Sequence, residues 1–239
     1  MQPCEKCAKM TSLPEDIHKI IQEQLLCADQ RTDDWIKARA SLVTASDVAA
    51  VLNMNFFTPA AVVMHRKLAA ITGDCGHLTP FCGNEATDWG THHEPAALEA
   101  FCARTGHKVV TTGLLRHRHH AFLGGSPDGI TWCGAILEIK CPFSGDVPVI
   151  RSVPRHYLPQ VQILMEIANL ERAYFIQFRP QGYGPKGVVN VSQPERFNLL
   201  EVPRDRAWAE THLPTLEKFH NDLLRMVETL ETSLLEDSD

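Results

Sequence analysis

The stretch 125–142 constrains the fold of this chain more than any other segment. Its Pro-Asp-Gly sequence predicts a sharp turn, because proline fixes φ and glycine permits a bend, and this turn presents Asp128 at the start of a strand. Residues 130–133 and 135–140 then have the character of two short strands, with Gly134 as the reversal between them. The segment therefore predicts a β-hairpin.

Three charged side chains of this hairpin are expected to meet. Glu138 and Lys140 are two residues apart and leave the same face of a strand, and the turn brings Asp128 close to them. Two carboxylates beside a lysine suit Mg²⁺ or Mn²⁺, with an ammonium group that holds or deprotonates a water. An isolated Glu-x-Lys pair is more often a solvated surface pair. The aspartate ten residues upstream of the glutamate, at the length of one hairpin, favours the metal site.

The hairpin sequence resembles that of a known nuclease group. Ser-Pro-Asp-Gly and Leu-Glu-Ile-Lys-Cys-Pro-Phe, both within 126–143, match the central motif of the phage lambda exonuclease and viral alkaline exonuclease group of the PD-(D/E)xK nucleases. The resemblance implies that Asp128, Glu138 and the carbonyl group of Ile139 bind the metal. It also implies that Lys140 positions the attacking water and helps to deprotonate it.

Residues 31–52 contain a second candidate site. Thr44 and Ser46 lie where a helix is expected to begin, with Arg39 in range, so hydroxyls, free backbone N–H groups and a guanidinium could bind an anion there. Plain capping of the helix by Thr44 or Ser46 explains the same residues. The resembled group carries Trp-x-x-x-Arg followed by Thr-Ala-Ser at this place. This implies that Arg39 and Ser46 bind the terminal 5′-phosphate of DNA, with Thr44 as a weaker candidate.

A helix predicted over 84–105 contains Glu94. Pro95 would strain the middle of this helix, so a kink or a restart is expected near 91–94. By itself Glu94 is an ordinary surface glutamate. The resembled group has Trp-Gly-Thr-x-x-Glu here with its glutamate turned toward the metals, so the resemblance assigns Glu94 to the metal site.

A helix predicted to begin at Pro154 carries Tyr157, Gln160 and Gln162. From the pattern alone, the two glutamines are simply polar residues of a helix. The resembled group shows Tyr-x-x-Gln-Val-Gln at this position. The resemblance implies that Gln160 helps to align the catalytic groups and that Tyr157 and Gln162 approach the DNA.

The 239 residues, of which 44% are hydrophobic, can bury one sizeable core. We expect a single nuclease domain over 13–235 with its motifs within 31–200, a disordered terminus over 1–12 and a tail over 236–239. The order of helices and strands predicts an α/β fold with a mixed central β-sheet flanked by helices, and the resemblance implies a restriction-endonuclease-like core. Because the sequence has neither a membrane-spanning apolar run nor a secretory layout, we expect a soluble intracellular protein, in the cytoplasm or nucleus of the host if it is viral.

The formal charge of −6 is unevenly distributed. Residues 195–239 contain 11 acidic and five basic side chains, so residues 1–194 are balanced. A balanced body can still present a basic rim to nucleic acid. The basic segments 65–67 and 116–120 could contact a DNA backbone, although solvated surfaces explain them equally well.

The eight cysteines are expected to be mostly reduced thiols in a chain of this size. Cys4 and Cys7 form a C-x-x-C, which is half of a zinc or iron–sulfur site. The sequence offers no second half at usable spacing. A frayed terminus is therefore expected there.

The resemblance implies a Mg²⁺-dependent exonuclease, with Mn²⁺ able to substitute, that acts on linear double-stranded DNA. Such an enzyme degrades the 5′-ended strand from 5′-phosphorylated ends and leaves 3′ overhangs for recombination. The implied partners are duplex ends and a single-strand annealing protein, and both a ring-shaped trimer and a monomer stay open. The alternatives are a structure-specific endonuclease, an RNA-cutting relative and a catalytically silent DNA-binding module on the same scaffold.

Overall fold

The computed structural model describes residues 3–73 and 84–236. The helices of the described part are α1 (Glu5–Ala8), α2 (Glu15–Gln24), α3 (Asp33–Ala40), α4 (Val48–Val51), α5 (Ala60–Thr72), α6 (Glu85–Thr105), α7 (Leu158–Ala168) and α8 (Arg206–Glu236). None of them is both long enough and apolar enough to cross a membrane.

Strands form two sheets in the described residues. The first has the order β1-β4-β5-β2 and is built from β1 (Leu25–Cys27), β2 (Val43–Thr44), β4 (Leu114–Arg116) and β5 (Leu123–Gly125). The second has the order β3-β6-β7-β8-β9 and is built from β3 (Val109–Val110), β6 (Gly129–Thr131), β7 (Ala135–Lys140), β8 (Arg172–Arg179) and β9 (Arg196–Pro203). Both sheets contain parallel and antiparallel pairs. The mixed α/β class is thus confirmed, with its strands divided between two sheets.

The predicted hairpin is the centre of the second sheet. β6 and β7 pair antiparallel around Gly134, whose φ of 84° lies in the left-handed region that glycine adopts without strain. β7 and β8 run parallel, and α7 supplies the crossover between them. The hairpin is therefore held by strands on both sides.

Helices cover the two faces of β7. Leu137 and Ile139 pack in a cluster with Ala97 and Phe101 of α6. Residues of the opposite parity point toward α7, where Ile136 packs with Val161 and Leu164 among other residues of the larger core. Because Glu138 and Lys140 share the parity of Ile136, they leave the sheet on the side where α7 begins.

The helix α7 also packs closely on the strand that precedes the Asp128 turn. A Cβ atom added at Gly125, the last residue of β5, would lie 2.8 Å from Leu164 Cδ2 and 3.0 Å from Ala45 Cβ. A larger side chain there would force these neighbours to shift. Glycine at this position thus permits the close packing of α7 on β5.

One expectation was wrong and another is narrowed. Helix α6 continues through Pro95, so the predicted restart near 91–94 does not form. The terminus is ordered where the structure describes it, because α1 lies over residues 5–8 and Cys7 is fully buried. Packing of α1 against the second sheet, which a local sequence pattern does not reveal, overrides the fraying expected of a chain end.

Candidate active site and adjoining anion pocket

The hairpin places Asp128 against the backbone of its partner strand. The Asp128 N–H donates to the Leu137 carbonyl at 3.1 Å, and the Ile139 N–H donates to Asp128 Oδ2 at 2.5 Å. One carboxylate oxygen is thereby fixed beside β7. The turn chemistry of Pro127 and Gly129 therefore brings the aspartate where the sequence predicts it.

Glu138, Lys140 and Gln160 form a closed triangle of polar contacts. Lys140 Nζ lies 2.6 Å from Glu138 Oε1, and Gln160 Nε2 donates to the same oxygen at 2.6 Å. Lys140 Nζ also donates to Gln160 Oε1 at 3.2 Å. Gln160, on the first turns of α7, thus orients both the carboxylate and the ammonium group.

The second oxygen of Glu138 has no protein partner. Glu138 is 1% exposed, and its Oε2 atom lacks a hydrogen bond within the described residues. A buried carboxylate oxygen without a donor is costly unless a cation or water satisfies it. This oxygen therefore marks a position suited to a cation.

The pKa shifts of Asp128, Glu138 and Lys140 also favour a position for a cation. Burial, followed by the charges of Glu138 and Glu94, raises the pKa of Asp128 well above its usual value. Burial also raises the pKa of Glu138, against the opposing effect of Lys140. For Lys140 burial lowers the pKa, but Glu138 and Asp128 outweigh it and the pKa is raised. Carboxylates that repel one another are stabilised by added positive charge.

Glu94 faces the same cleft from α6. It lines a cavity of about 600 Å³ together with Asp128, Glu138, Ile139 and Lys140. We call the three acidic residues Glu94, Asp128 and Glu138 the carboxylate cluster. The continuous helix α6 thus contributes Glu94 to the cleft beside the hairpin.

Arg31 is a residue of this cleft that the sequence did not indicate. Its Nη2 atom donates to Glu94 Oε2 at 2.7 Å, and the residue has a positive φ of 68°. No motif or periodicity distinguishes Arg31 from other arginines of the chain. It supplies a cation beside the carboxylate cluster and would contact an anionic substrate there.

The carboxylate cluster fits a hard divalent cation. It offers three carboxylates around one cleft, including the unpartnered Glu138 Oε2 atom. Oxygen ligands of this kind are those that Mg²⁺ and Mn²⁺ prefer. Ile139, whose carbonyl was the predicted backbone ligand, lines the same cleft.

Tyr157, the N-cap residue of α7, and Gln162 within α7 lie in different surroundings. Tyr157 lines the cleft, with Lys140 Nζ 5.3 Å from the centre of its ring. Gln162 does not reach the cleft, because its Nε2 atom donates to the Pro203 carbonyl at 3.0 Å and its Oε1 atom accepts from the Asp205 N–H at 2.8 Å. The predicted approach of Gln162 to DNA is therefore corrected: this side chain is 5% exposed and joins α7 to the segment before α8.

Arg39, Thr44 and Ser46 form a second polar site, which we call the hydroxyl pocket. Arg39 Nη2 donates to Ser46 Oγ at 2.8 Å and to Thr44 Oγ1 at 3.3 Å. The guanidinium carbon lies 4.2 Å from the centre of the Trp35 ring. Ring stacking and two hydroxyl contacts hold the guanidinium in one orientation.

The helix expected to begin at this pocket is very short. α4 spans only Val48–Val51, and its N-cap residue Asp47 makes no side-chain capping bond. The helix dipole contributes little over one turn. The hydroxyl pocket therefore depends on Arg39 and the hydroxyls, not on the helix terminus that the sequence suggested.

An ion pair beneath the pocket was not predicted from the sequence. Asp47 Oδ2 accepts from Thr44 Oγ1 at 2.5 Å and lies 2.8 Å from Lys67 Nζ. Lys67 also donates to the Arg39 carbonyl at 3.1 Å, and only 7% of it is exposed. Lys67 was expected on a solvated or DNA-facing surface, and that expectation is wrong because it pairs with Asp47. Burial raises the pKa of Asp47, but Lys67 outweighs this effect and lowers it.

A direct hydrogen bond connects the hydroxyl pocket to the turn that carries Asp128. Trp35 Nε1 donates to Ser126 Oγ at 2.9 Å, and Ser126 lies two residues before Asp128. Gln30 Nε2 donates to the Pro127 carbonyl at 3.2 Å. The segment carrying Arg39 is thus fixed to the turn that carries Asp128.

The basic segment 116–120 is bonded within the protein. Arg118 pairs with Glu23, and His117 Nδ1 accepts from the N–H groups of His119 and His120, both at 3.0 Å. His117 Nε2 lies 3.7 Å from Glu166. The side chains of His117 and Arg118, two of the five residues, thus make contacts within the fold.

Comparison with protein families gives one match over most of the chain. The profile described as the YqaJ-like viral recombinase domain matches residues 34–171. An uncharacterized protein of Acanthamoeba polyphaga mimivirus is 26% identical in an alignment over 171 residues, and this alignment covers 65% of this chain and 30% of that protein. A protein of African swine fever virus is 26% identical in an alignment over 167 residues, which covers 56% of this chain and 44% of that protein. The chain thus matches less than half the length of these viral relatives.

Solved structures resemble most of this chain. An alkaline exonuclease, LHK-Exo from Laribacter hongkongensis, has a TM-score of 0.65 and 24% identity, covering 86% of this chain and 99% of that one. Its complex with dAMP gives a TM-score of 0.67 at the same identity and coverage. A phage-related exonuclease from Haemophilus somnus has a TM-score of 0.59 and 15% identity over 81% of this chain and 96% of its own. These likenesses show a restriction-endonuclease-like fold.

Proposed function

Because the chain belongs to the family of YqaJ-like viral recombinase domains, we propose that it is a metal-dependent exonuclease acting on the ends of linear double-stranded DNA. The observation that carries this proposal is the carboxylate cluster beside Lys140, with Glu138 Oε2 buried and unpartnered in the cleft. The fold shared with alkaline exonucleases supports it.

The residues of the cleft divide into ligands and aligning groups. Asp128, Glu138 and Glu94, with the Ile139 carbonyl, hold one or two Mg²⁺ ions, and Mn²⁺ substitutes. A bound divalent ion supplies charge neutralisation at the phosphate and lowers the pKa of a water. Gln160 holds the Glu138 carboxylate and the Lys140 ammonium in place through its two ends.

Lys140 is proposed to position the attacking water and to assist its deprotonation. Its Nζ atom is already directed into the cleft by Glu138 and Gln160. A positioned donor of this kind stabilises charge that develops on the phosphate oxygens. Tyr157 borders the same cleft and packs against the Phe175 ring, with ring centres 5.7 Å apart.

The hydroxyl pocket is proposed to bind the terminal 5′-phosphate. Arg39 presents a guanidinium and Ser46 a hydroxyl at one point, and both can donate to phosphate oxygens, whereas the Thr44 hydroxyl already donates to Asp47 and is the weaker candidate. Occupation of this pocket selects the 5′-ended strand for degradation and leaves a 3′ overhang. A single-strand annealing protein is the partner class that would use such an overhang in recombination.

The domain bounds, the viral origin, the location and the assembly of the protein are also proposals. Residues 13–235 are proposed as one nuclease domain of a viral protein active inside the host cell, in line with the viral relatives. A monomer and a ring-shaped trimer both accommodate this cleft. Sedimentation of the purified chain, alone and with duplex DNA, separates the two.

A digestion assay tests the function. Linear duplexes with 5′-phosphate or 5′-hydroxyl ends, each labelled at the 5′ or the 3′ terminus of one strand, are incubated with the protein and Mg²⁺. We expect early release of the 5′ label, later release of the 3′ label and faster digestion of phosphorylated ends. EDTA stops the reaction.

Matched variants and substrates control this assay. Glu138→Gln removes a charge from the carboxylate cluster and should abolish digestion, whereas Glu99→Gln, at an exposed position of α6, should leave it unchanged. Equal cutting of circular duplex would indicate an endonuclease, and cutting of RNA an RNA-directed relative. Intact linear duplex with both Mg²⁺ and Mn²⁺ supplied would leave only a DNA-binding role and refute the proposal.

A further inference from the structure

Four metal-binding side chains meet at the N-terminal end of the described chain, away from the carboxylate cluster. They are Cys4, Cys7, His107 and Cys133, and their ligand atoms all lie within 4.8 Å of one another. We call this group the cysteine cluster. Only its first half was apparent in the sequence, because the other two ligands lie 100 residues or more along the chain from Cys7.

Two sulfur–nitrogen distances in this group are close to those around a single tetrahedral ion. His107 Nδ1 lies 3.5 Å from Cys7 Sγ and 3.3 Å from Cys133 Sγ. Around one Zn²⁺ with its usual bond lengths, tetrahedral geometry separates a thiolate from an imidazole nitrogen by about 3.6 Å and two thiolates by about 3.8 Å. An iron–sulfur cluster holds its thiolates further apart, since several iron and sulfide ions lie between them.

The backbone holds the first two ligands in place. Cys4 caps α1, and the Cys7 N–H donates to Cys4 Sγ at 3.5 Å, a bond that stabilises a thiolate. The Cys4 N–H donates to the Thr105 carbonyl at 2.7 Å. Gly106 permits this approach, because a Cβ atom there would lie 3.1 Å from Pro3 Cβ and 3.3 Å from Cys4 N.

The other two ligands belong to the second sheet. His107 precedes β3 and stacks on Phe101, with ring centres 5.3 Å apart and planes inclined by 6°. Cys133 lies in the reversal between β6 and β7, where the Thr131 hydroxyl contacts its sulfur at 3.3 Å. Cys7, His107 and Cys133 are each no more than 9% exposed. Stacking and burial fix these side chains before any ion binds.

The surroundings also compensate the charge of the site. Three thiolates around a divalent ion leave one net negative charge. Lys6 Nζ lies 3.4 Å from the Cys133 carbonyl, and Arg172 lines the same cleft as Cys4 and His107. Two cationic residues thus border the site.

We propose that Cys4, Cys7, His107 and Cys133 bind one structural Zn²⁺ ion. The site is closed, since four protein ligands complete a tetrahedron and leave no position for a substrate. The ion fastens α1 to the reversal of the β6–β7 hairpin, whose opposite end carries Asp128 and Glu138. Zinc therefore stabilises the scaffold of the catalytic hairpin and takes no part in hydrolysis.

Metal analysis of the full-length protein tests the proposal. The protein is purified under reducing conditions, passed through a desalting column equilibrated with EDTA and analysed for zinc and iron by mass spectrometry. We expect one zinc and less than one-tenth of an iron per chain. Cys7→Ser and Cys133→Ser should each lower zinc affinity by at least tenfold, while Cys27→Ser, a free cysteine outside the cluster, should retain the wild-type content.

Cobalt replacement uses the wild-type protein, so its result does not depend on whether a cysteine variant folds. Apo-protein refolded with Co²⁺ should show the intense visible bands of tetrahedral cobalt bound by thiolates, and addition of one equivalent of Zn²⁺ should remove them. Zinc-loaded protein should also unfold at a higher temperature than apo-protein. Each of three results would overturn the proposal. They are a lack of stoichiometric zinc, the presence of stoichiometric iron with sulfide, and a native disulfide between any two of these cysteines. None of these results depends on nuclease activity, so failure here leaves the proposed function untouched.

Discussion

Replacing Arg39 with glutamine isolates the contribution of the hydroxyl pocket. The guanidinium contacts Ser46 and Thr44 and stacks on Trp35, so it is oriented before DNA arrives. Glutamine keeps a donor but removes the charge. The fold is expected to tolerate this change, because Asp47 keeps its ion pair with Lys67 at 2.8 Å.

The size of the effect follows from the kind of hydrogen bond that the substitution removes. A hydrogen bond to a charged group contributes about 1.5–3 kcal/mol. One factor of ten in rate corresponds to about 1.4 kcal/mol. We therefore expect the ratio of kcat/KM for 5′-phosphorylated over 5′-hydroxyl duplex to fall roughly 10- to 100-fold in Arg39→Gln. The rate on hydroxyl ends should change much less, since that substrate never forms this bond.

Initial rates on the two labelled duplexes measure this ratio. Lys37→Gln is the matched control, because Lys37 is an exposed cation on the same helix and its loss changes net charge equally. It should alter both rates together through general attraction to DNA. An unchanged ratio in Arg39→Gln, with cleavage and thermal stability retained, would refute the assignment of this pocket.

Three further outcomes are expected. Lys140→Ala should abolish cleavage while circular dichroism and cation-induced thermal stabilisation stay close to wild type, and undiminished turnover would exclude Lys140 from the mechanism. The His117 and Arg204 contacts lower the pKa of Glu166 to about 2 from 4.5, so Glu166→Gln should cost about 1–2 kcal/mol above pH 4.5 after allowance for solvent screening. This difference should vanish as the pH falls toward 2, as followed by urea denaturation, and a pH-independent difference would contradict it. Gln162→Leu should lose about 1–3 kcal/mol of stability with an unchanged preference for phosphorylated ends, whereas a changed preference would return Gln162 to the DNA interface.

The hairpin could be predicted because its determinants are local. Proline before Asp128, glycine at the reversal and alternating character over 135–140 all act within a few residues. Parity then places Glu138 and Lys140 on one face without any knowledge of the tertiary structure. The hydroxyl pocket was located in the same way, from Thr44, Ser46 and Arg39 within one short stretch.

Features built by distant contacts could not be predicted. The Asp47–Lys67 ion pair and the Arg31–Glu94 pair join segments whose relative position depends on the whole fold. The two polar ends of Gln162 are satisfied by backbone more than 40 residues away. Helical periodicity does not reveal which groups a polar side chain contacts, so the structural role of Gln162 could not be predicted.

The cysteine cluster and α6 show two other limits of local reasoning. The ligands of the cluster come from the terminus, the entrance to β3 and a hairpin reversal, and no spacing rule covers that combination. In α6 the penalty of Pro95 was overestimated. Packing of Ala97 and Phe101 under the sheet keeps that helix continuous through the proline.

The bond from Trp35 to Ser126 has a consequence for the size of the product. Trp35 shares a helix with Arg39, and Ser126 begins the turn that presents Asp128, so this 2.9 Å contact fixes the hydroxyl pocket relative to the carboxylate cluster. In the proposed enzyme this fixed separation acts as a ruler. The number of nucleotides removed in each cycle is then a constant of the protein, the same for every base sequence that enters.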